Sequence, residues 1–164
     1  MKNTIPSDEE VMYDGGAMIT ETDAKGTITY VNQKFVDMSC CSKEELIGRS
    51  HNIVRHPDMP KCLFKEMWSA LLQGKPWEGY LKNLRKDGKY YWVDVYISPR
   101  YDPGGNLIGY IARRSIPAPD ILKVVKEKYR KLLALEQETV SSEKSSQHMS
   151  TERNPNQFFE AIRC

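Results

Sequence analysis

The sequence predicts an α+β domain, a five-stranded antiparallel sheet with short helices on one face and a C-terminal amphipathic helix. Two observations carry this. Turn sequences at 23–26, 85–88 and 102–105 each separate segments rich in β-branched and aromatic residues, the mark of successive hairpins. Between the first hairpin and the later strands, Leu63, Phe64, Met67, Trp68, Leu71 and Leu72 recur at spacings of three and four, the stripe of an amphipathic helix.

Each element follows in order. Residues 1–16 are polar, end in Gly15-Gly16 and read as a mobile N-terminal cap. A strand from Ala17 to Thr22 turns at Asp23-Ala24-Lys25-Gly26 into Thr27 to Val31. Asn32 stops that strand and suits the N-cap of a short helix carrying Phe35, Met38 and Ser39. Ser42-Lys43-Glu44-Glu45 matches a capping box and starts another, closed by Gly48. The helix from Lys61 to Leu72 ends at Gln73-Gly74-Lys75-Pro76. Strands from Trp77 to Leu84 and Lys89 to Ser98 flank the Asp87-Gly88 hairpin step, and Asp102-Pro103-Gly104-Gly105 turns the chain into Leu107 to Arg114. Pro117 and Pro119 end the sheet; Asp120 then caps a helix running to about Glu138, with Ile121, Val125, Tyr129 and Leu132 along one side. Residues 139–164 are mostly polar and read as a disordered tail, although Phe158-Phe159-Glu160-Ala161-Ile162 is apolar.

Composition narrows the function classes. The 164 residues carry 24 basic and 22 acidic side chains, interspersed, without the basic stripe of a nucleic-acid binder. No apolar run approaches the ~20 residues of a membrane span, and the start has no secretory signal, so a soluble cytoplasmic domain without direct membrane insertion is expected. Cys40, Cys41, Cys62 and Cys164 lack the spacing of zinc knuckles or redox pairs and read as reduced thiols.

The segment richest in chemistry is His51-Asn52-Ile53-Val54-Arg55-His56-Pro57-Asp58-Met59-Pro60. Its two prolines remove backbone donors and drive the preceding residues out of helical dihedrals, so tight turns should hold its polar side chains at fixed angles. Such a loop suits a charged ligand. Arg55 and a protonated His56 can neutralise phosphate, the arginine through a planar fork matching two oxygens. Alternatively Arg55 pairs with Asp58 to brace the turn, and Asp58 can orient Arg55 or cap the following helix.

The element order, Asn32 after the second strand, Gly48 before the loop and the turn Lys86-Asp87-Gly88 resemble a PAS domain. The decapeptide, Met67-Trp68, Gly74-Lys75-Pro76-Trp77, Lys82-Asn83 with Lys86, and Tyr91-Trp92-Val93 are similar to the flavin-binding PAS module of the Aer-type aerotaxis family. The resemblance covers roughly residues 17–117. It implies a PAS fold, bound FAD, redox sensing in bacterial energy taxis, and an Arg55, His56 and Asp58 set that retains the cofactor. Aer-type receptors continue into a membrane anchor, a HAMP domain and a chemoreceptor signalling domain. This chain resembles instead free-standing CetB-type energy-taxis proteins, which implies a separate membrane-bound receptor subunit carrying HAMP and signalling domains. That partner would recruit it to the inner face of the membrane. A PAS homodimer is the other expected association.

The parts of FAD ask for different side chains. The amides of Asn32 and Asn83 can both donate and accept, as the flavin's pyrimidine edge requires, although Asn32 could simply cap a helix and Asn83 could sit exposed in a strand. Trp68 belongs to a core stripe and is a minor candidate for stacking on the ring; His51 completes the candidate set. Photochemical LOV modules share the fold and carry a reactive cysteine in the loop after the Gly-Arg step. Gly48-Arg49-Ser50-His51-Asn52 has none, which favours redox over light sensing. A haem-binding gas sensor using His56 or His51, and a cofactor-free interaction module, are the alternatives. An enzymatic flavin reductase lacks support, since no nicotinamide-binding glycine fingerprint is present.

Overall fold

The computed structural model describes residues 4–12 and 14–147, with side chains to residue 139. Strands β1 (Met18–Thr22) and β2 (Ile28–Val31) form the first hairpin, and helices α1 (Gln33–Ser39) and α2 (Lys43–Leu46) follow. A 3-10 turn over His51–Val54 opens the decapeptide, and α3 (Lys61–Leu72) closes the helical layer. Strands β3 (Trp77–Leu84), β4 (Tyr90–Tyr101) and β5 (Leu107–Ser115) then lead to α4 (Pro119–Gln147). The sheet is antiparallel throughout, in the order β2-β1-β5-β4-β3. The first hairpin is thus joined to the later three strands through β5, the last strand in sequence.

Local chemistry explains the helix starts. Asn32 caps α1 by accepting from Phe35 N at 3.1 Å. Ser42 and Glu45 form the reciprocal capping box of α2. The first turn of α3 takes no side-chain bond from its N-cap, Pro60. Glu136, on α4, supplies it instead: its carboxylate accepts from Lys61 N at 3.1 Å and Cys62 N at 2.9 Å. Asp58 therefore does not cap α3.

Strand alternation puts Val93, Val95 and Ile97 of β4 on the helix-covered face, with Leu81 and Asn83 of β3 and Tyr110, Ala112 and Arg114 of β5. Leu63, Met67 and Leu71 of α3 pack down onto it, whereas Leu72 is exposed, outside the stripe expected of it.

Two expectations change. Residues 7–11 are not a loose cap. Ser7 N bonds to Gly88 O, and Val11 N to Tyr90 O, while Tyr90 N bonds to Glu9 O, so this stretch lies beside the start of β4. The C-terminal helix continues to Gln147 instead of stopping near Glu138, and its part before residue 138 docks on the rest of the fold. Tyr129 OH donates to Tyr80 O at 2.9 Å, and the Tyr129 ring lies 6.0 Å from that of Trp92. Lys126 bonds to Glu10 at 2.7 Å. The remainder of the predicted tail, with its apolar Phe158–Ile162 stretch, lies outside the described residues.

Candidate functional site

Between α3, the 3-10 turn and the inner sheet face lies a cavity of about 80 Å³. Its walls combine apolar side chains such as Met67, Leu71, Leu81 and Ile97 with Thr20, His51, Arg55, Asn83, Tyr110 and Arg114. Three of these polar side chains carry a buried atom with no hydrogen-bond partner: Asn83 Nδ2, Tyr110 OH and Arg114 Nε. Buried polar atoms are normally paired, because leaving one unmade forfeits its hydration without return. Three such atoms on one cavity wall are the arrangement expected of a polar ligand's site.

The decapeptide is fastened to the free edge of β3. Arg55 bridges to Asn83, and Met59 Sδ accepts from Lys82 N at 3.2 Å. The Arg55 guanidinium stacks 3.8 Å above the Phe64 ring. Arg55 also borders an outer groove of about 670 Å³ shared with Arg49, Ser50 and Asn52. One arginine thus stands where the cavity meets the surface.

Four of the seven predicted site residues come together here: His51, Arg55, Trp68 and Asn83 line the cavity. Trp68 is half-buried at its wall, edge-on to Tyr110 with centroids 5.6 Å apart and planes at 79°. Gly26, with φ +82, borders the ring, and a Cβ there would be in van der Waals contact with it, 3.4 Å from Trp68 Cη2. His51 Nε2 lies 2.8 Å from an Arg114 nitrogen and 3.2 Å from Thr20 Oγ1. Since arginine can only donate, His51 Nε2 accepts and the imidazole proton belongs on Nδ1. Burial, reinforced by Arg114, pushes the His51 pKa down to about 3.

The other three do not line the cavity. Asn32 is fully engaged: besides capping α1 it accepts from Ile19 N at 3.0 Å and donates to Ala17 O at 2.8 Å, clamping β1 to the helix. His56 is buried edge-on to Tyr90, and its Nδ1 accepts from Asp58 N at 3.1 Å. Burial, then Lys82, holds its pKa down at about 4, so it is neutral near pH 7 and is no phosphate-neutralising cation there. Asp58 stands exposed and pairs with Lys82 at 3.2 Å. His56 and Asp58 shape the loop, and Asn32 braces β1 against α1, rather than facing the cavity.

Sequence reasoning missed Arg114, Tyr110 and Thr20. Their signal was strand alternation: Tyr110, Ala112 and Arg114 fall two apart in β5, so an inward Ala112 carries the other two inward. None of the described cysteines lines the cavity.

The donor set suits a flavin, whose ring edge offers acceptors and whose phosphates need an arginine. The volume is tighter. A cavity of roughly 150 Å³ accommodates benzene, so a tricyclic ring needs this one to widen, and its half-buried wall includes Phe64 and Trp68 of α3.

Comparison with known proteins gives the context of this site. Residues 10–113 match the family model described as PAS fold. The chain is 39% identical over 121 residues to the aerotaxis receptor of Escherichia coli (strain K12), covering 74% of this chain and 24% of the receptor. The PAS domain of a Colwellia psychrerythraea protein superposes with a TM-score of 0.54 at 28% identity, over 60% of this chain and 83% of that one. A light-oxygen-voltage domain studied with a flavin analogue superposes with a TM-score of 0.60 at 21% identity, over 72% of this chain and 88% of that one, a likeness of fold.

Proposed function

The chain belongs to the PAS family, and on that footing we propose that it is an FAD-binding redox sensor for energy taxis. It would signal to a separate membrane-bound subunit with HAMP and chemoreceptor signalling domains, which recruits it to the membrane's inner face. The observation that carries the cofactor reading is the set of three unpartnered polar atoms on one cavity wall. The similarity to an aerotaxis receptor supports the biological setting. Among the described residues no helix is long and apolar enough to cross a membrane.

Bound FAD would supply reversible storage of electrons taken from cellular carriers. Everything else falls to side chains of this chain. Asn83 would donate Nδ2–H to the ring edge, and Arg55, at the border of cavity and outer groove, would hold the pyrophosphate. Asp58 and His56 keep the decapeptide in shape behind Arg55. The output element is α4, which touches both walls of the site: Tyr129 bonds to β3 three residues before Asn83, and Glu136 caps α3. A change of charge in the cavity shifts α4 only through its different interaction with two arrangements of these contacts. Haem is the weaker reading, because the cavity-lining histidine, His51, already uses Nε2 to accept from Arg114.

The absorption spectrum of freshly purified protein, before and after incubation with FAD, tests this reading. Paired flavin bands are expected; no flavin in either preparation refutes it, and a Soret band assigns haem instead. Arg55→Ala should weaken FAD retention about 10- to 100-fold, the loss of a charge-assisted bond, with the circular dichroism of the fold unchanged.

A further inference from the structure

Arg114 is a cation where the fold needs none. The residue is 2% exposed, on the inner face of β5. Its two terminal nitrogens donate to neutral groups, Thr20 Oγ1 at 3.0 Å and His51 Nε2 at 2.8 Å, and its Nε has no partner. The Phe35 ring lies 5.2 Å away. Among the described residues no carboxylate pairs with it, although nine ion pairs between lysine or arginine and a carboxylate form elsewhere in the fold. Burial depresses its pKa to about 10, which still leaves it charged at neutral pH. An unpaired buried charge is costly to the fold, and a methionine of similar length would fill the wall without that cost. Arg114 lines the same cavity as Asn83 and Tyr110, so the missing countercharge points to the ligand.

We propose that Arg114 is the countercharge for the negative charge that a flavin ring in this cavity gains on reduction. The inference rests on the flavin reading and deepens it: the protein would tune how easily its cofactor is reduced. With a hydride donor of the dihydronicotinamide class, atoms and electrons balance. Its C–H bond breaks, an N–H bond forms on the ring, and the two electrons of the hydride move with it. The donor leaves as oxidised nicotinamide, and the ring, neutral before, carries one negative charge without taking a further proton. A guanidinium in the cavity wall stabilises that charge, because the surrounding apolar side chains screen it poorly. His51, held neutral as an acceptor from Arg114, adds no competing charge.

The test is a spectroscopic redox titration of FAD-loaded full-length protein and its Arg114→Gln, Arg114→Met and Arg114→Lys variants. Gln keeps a donor for Thr20 or His51 without the charge; Lys keeps the charge. The equilibrium constant for two-electron reduction should fall at least tenfold in the Gln variant, about 30 mV, and stay within threefold of wild type in the Lys variant. Flavin-free Arg114→Met should unfold at or above the wild-type temperature, because it removes a lone buried charge while Thr20 and His51 keep each other as partners. An unmoved potential in the Gln variant, with flavin still bound, overturns the assignment of Arg114 alone. Should Gln fail to fold, the Met variant decides by the same threshold. Wild-type protein that takes up no flavin overturns the proposed function, and this inference with it.

Discussion

Glu136 connects the C-terminal helix to the helical layer over the cavity, and replacing it with alanine measures that connection. Its two oxygens cap Lys61 N and Cys62 N, at the end of α3 that has no local cap. Loss of a capping side chain costs about 1 kcal/mol, and loss of a negative charge at a helix N-terminus about 0.5 kcal/mol more. With a urea slope of about 2 kcal/mol/M for a domain of this size, a total of about 1.5 kcal/mol lowers the unfolding midpoint by about 0.7 M. Glu136→Gln, which keeps an acceptor without the charge, should lose about half as much. The effect should also be local, with hydrogen exchange at the Lys61 and Cys62 amides about tenfold faster in the alanine variant. Burial works to raise the Glu136 pKa, but the Cys62 and Lys61 amides outweigh it and hold the carboxyl below its ordinary value of 4.5. A depressed folded value means that the contribution is complete above about pH 4.5 and is lost as the pH falls through the folded value. The reasoning is refuted if Glu136→Ala leaves both the midpoint and these two amides unchanged at pH 7.

Three further outcomes follow from the same contacts. The folded His56 value of about 4 lies below an unfolded value of about 6.5, so His56 contributes stability above pH 6.5 that is lost between pH 6.5 and 4. Urea midpoints across that window should fall for wild type and fall less steeply for His56→Gln; parallel profiles would contradict the assignment. Asn83→Ala should leave the flavin-free protein within about 1 kcal/mol of wild type, since its Nδ2 makes no well-formed hydrogen bond and the side chain loses only its interaction with the Tyr91 hydroxyl, yet weaken FAD binding about tenfold by equilibrium dialysis. In Gly109→Ala, a Cβ would meet Thr22 O at 1.9 Å on a backbone with φ +152, so thermal unfolding should show a loss of about 3 kcal/mol as β1 is pushed from β5.

What the sequence disclosed and what it hid have separate physical causes. The sheet was readable because its signals are local: Asp87-Gly88 sets a turn with Gly88 at φ +89, and the Leu63, Met67 and Leu71 stripe needs only a helical period. Ser42 and Glu45 announced their capping box for the same reason. The cap of α3 was not readable, because its acceptor stands at residue 136 and its place is set by how α4 docks. Asn32 shows the limit differently. Its type suits a cap and a flavin contact equally, and only the bonds to Ala17, Ile19 and Phe35 show that its amide is already engaged. Arg114 follows Arg113 in a strand, where adjacent arginines read as surface charge. Alternation sends one out to solvent and the other into the core.

The placement of Arg55, Asn83 and Glu136 constrains how such a domain can report on its cavity. Asn83 and Arg55 are bridged, so a ligand contact on one is felt by the other through backbone. Arg55 also borders, with Pro57 and Met59, a groove whose opposite side is Leu133 and Glu136 of α4. A ligand that pulls Arg55 toward the cavity therefore acts on the decapeptide, whose end at Pro60 is the start of α3 and the place where Glu136 is bound. The cap contributes about 1.5 kcal/mol, close to the free energy that separates a tenfold change in an equilibrium. A change of charge in the cavity that favoured one arrangement of the decapeptide by that amount would change the docked population of α4 about tenfold. Tyr129 sets a limit in the other direction: its bond to Tyr80 O and its contact with Trp92 hold the first half of α4 to the sheet independently of Glu136. Release of the cap should therefore free the end of α4 beyond Tyr129 while the stretch before it stays in place, giving a helix that changes at one end only.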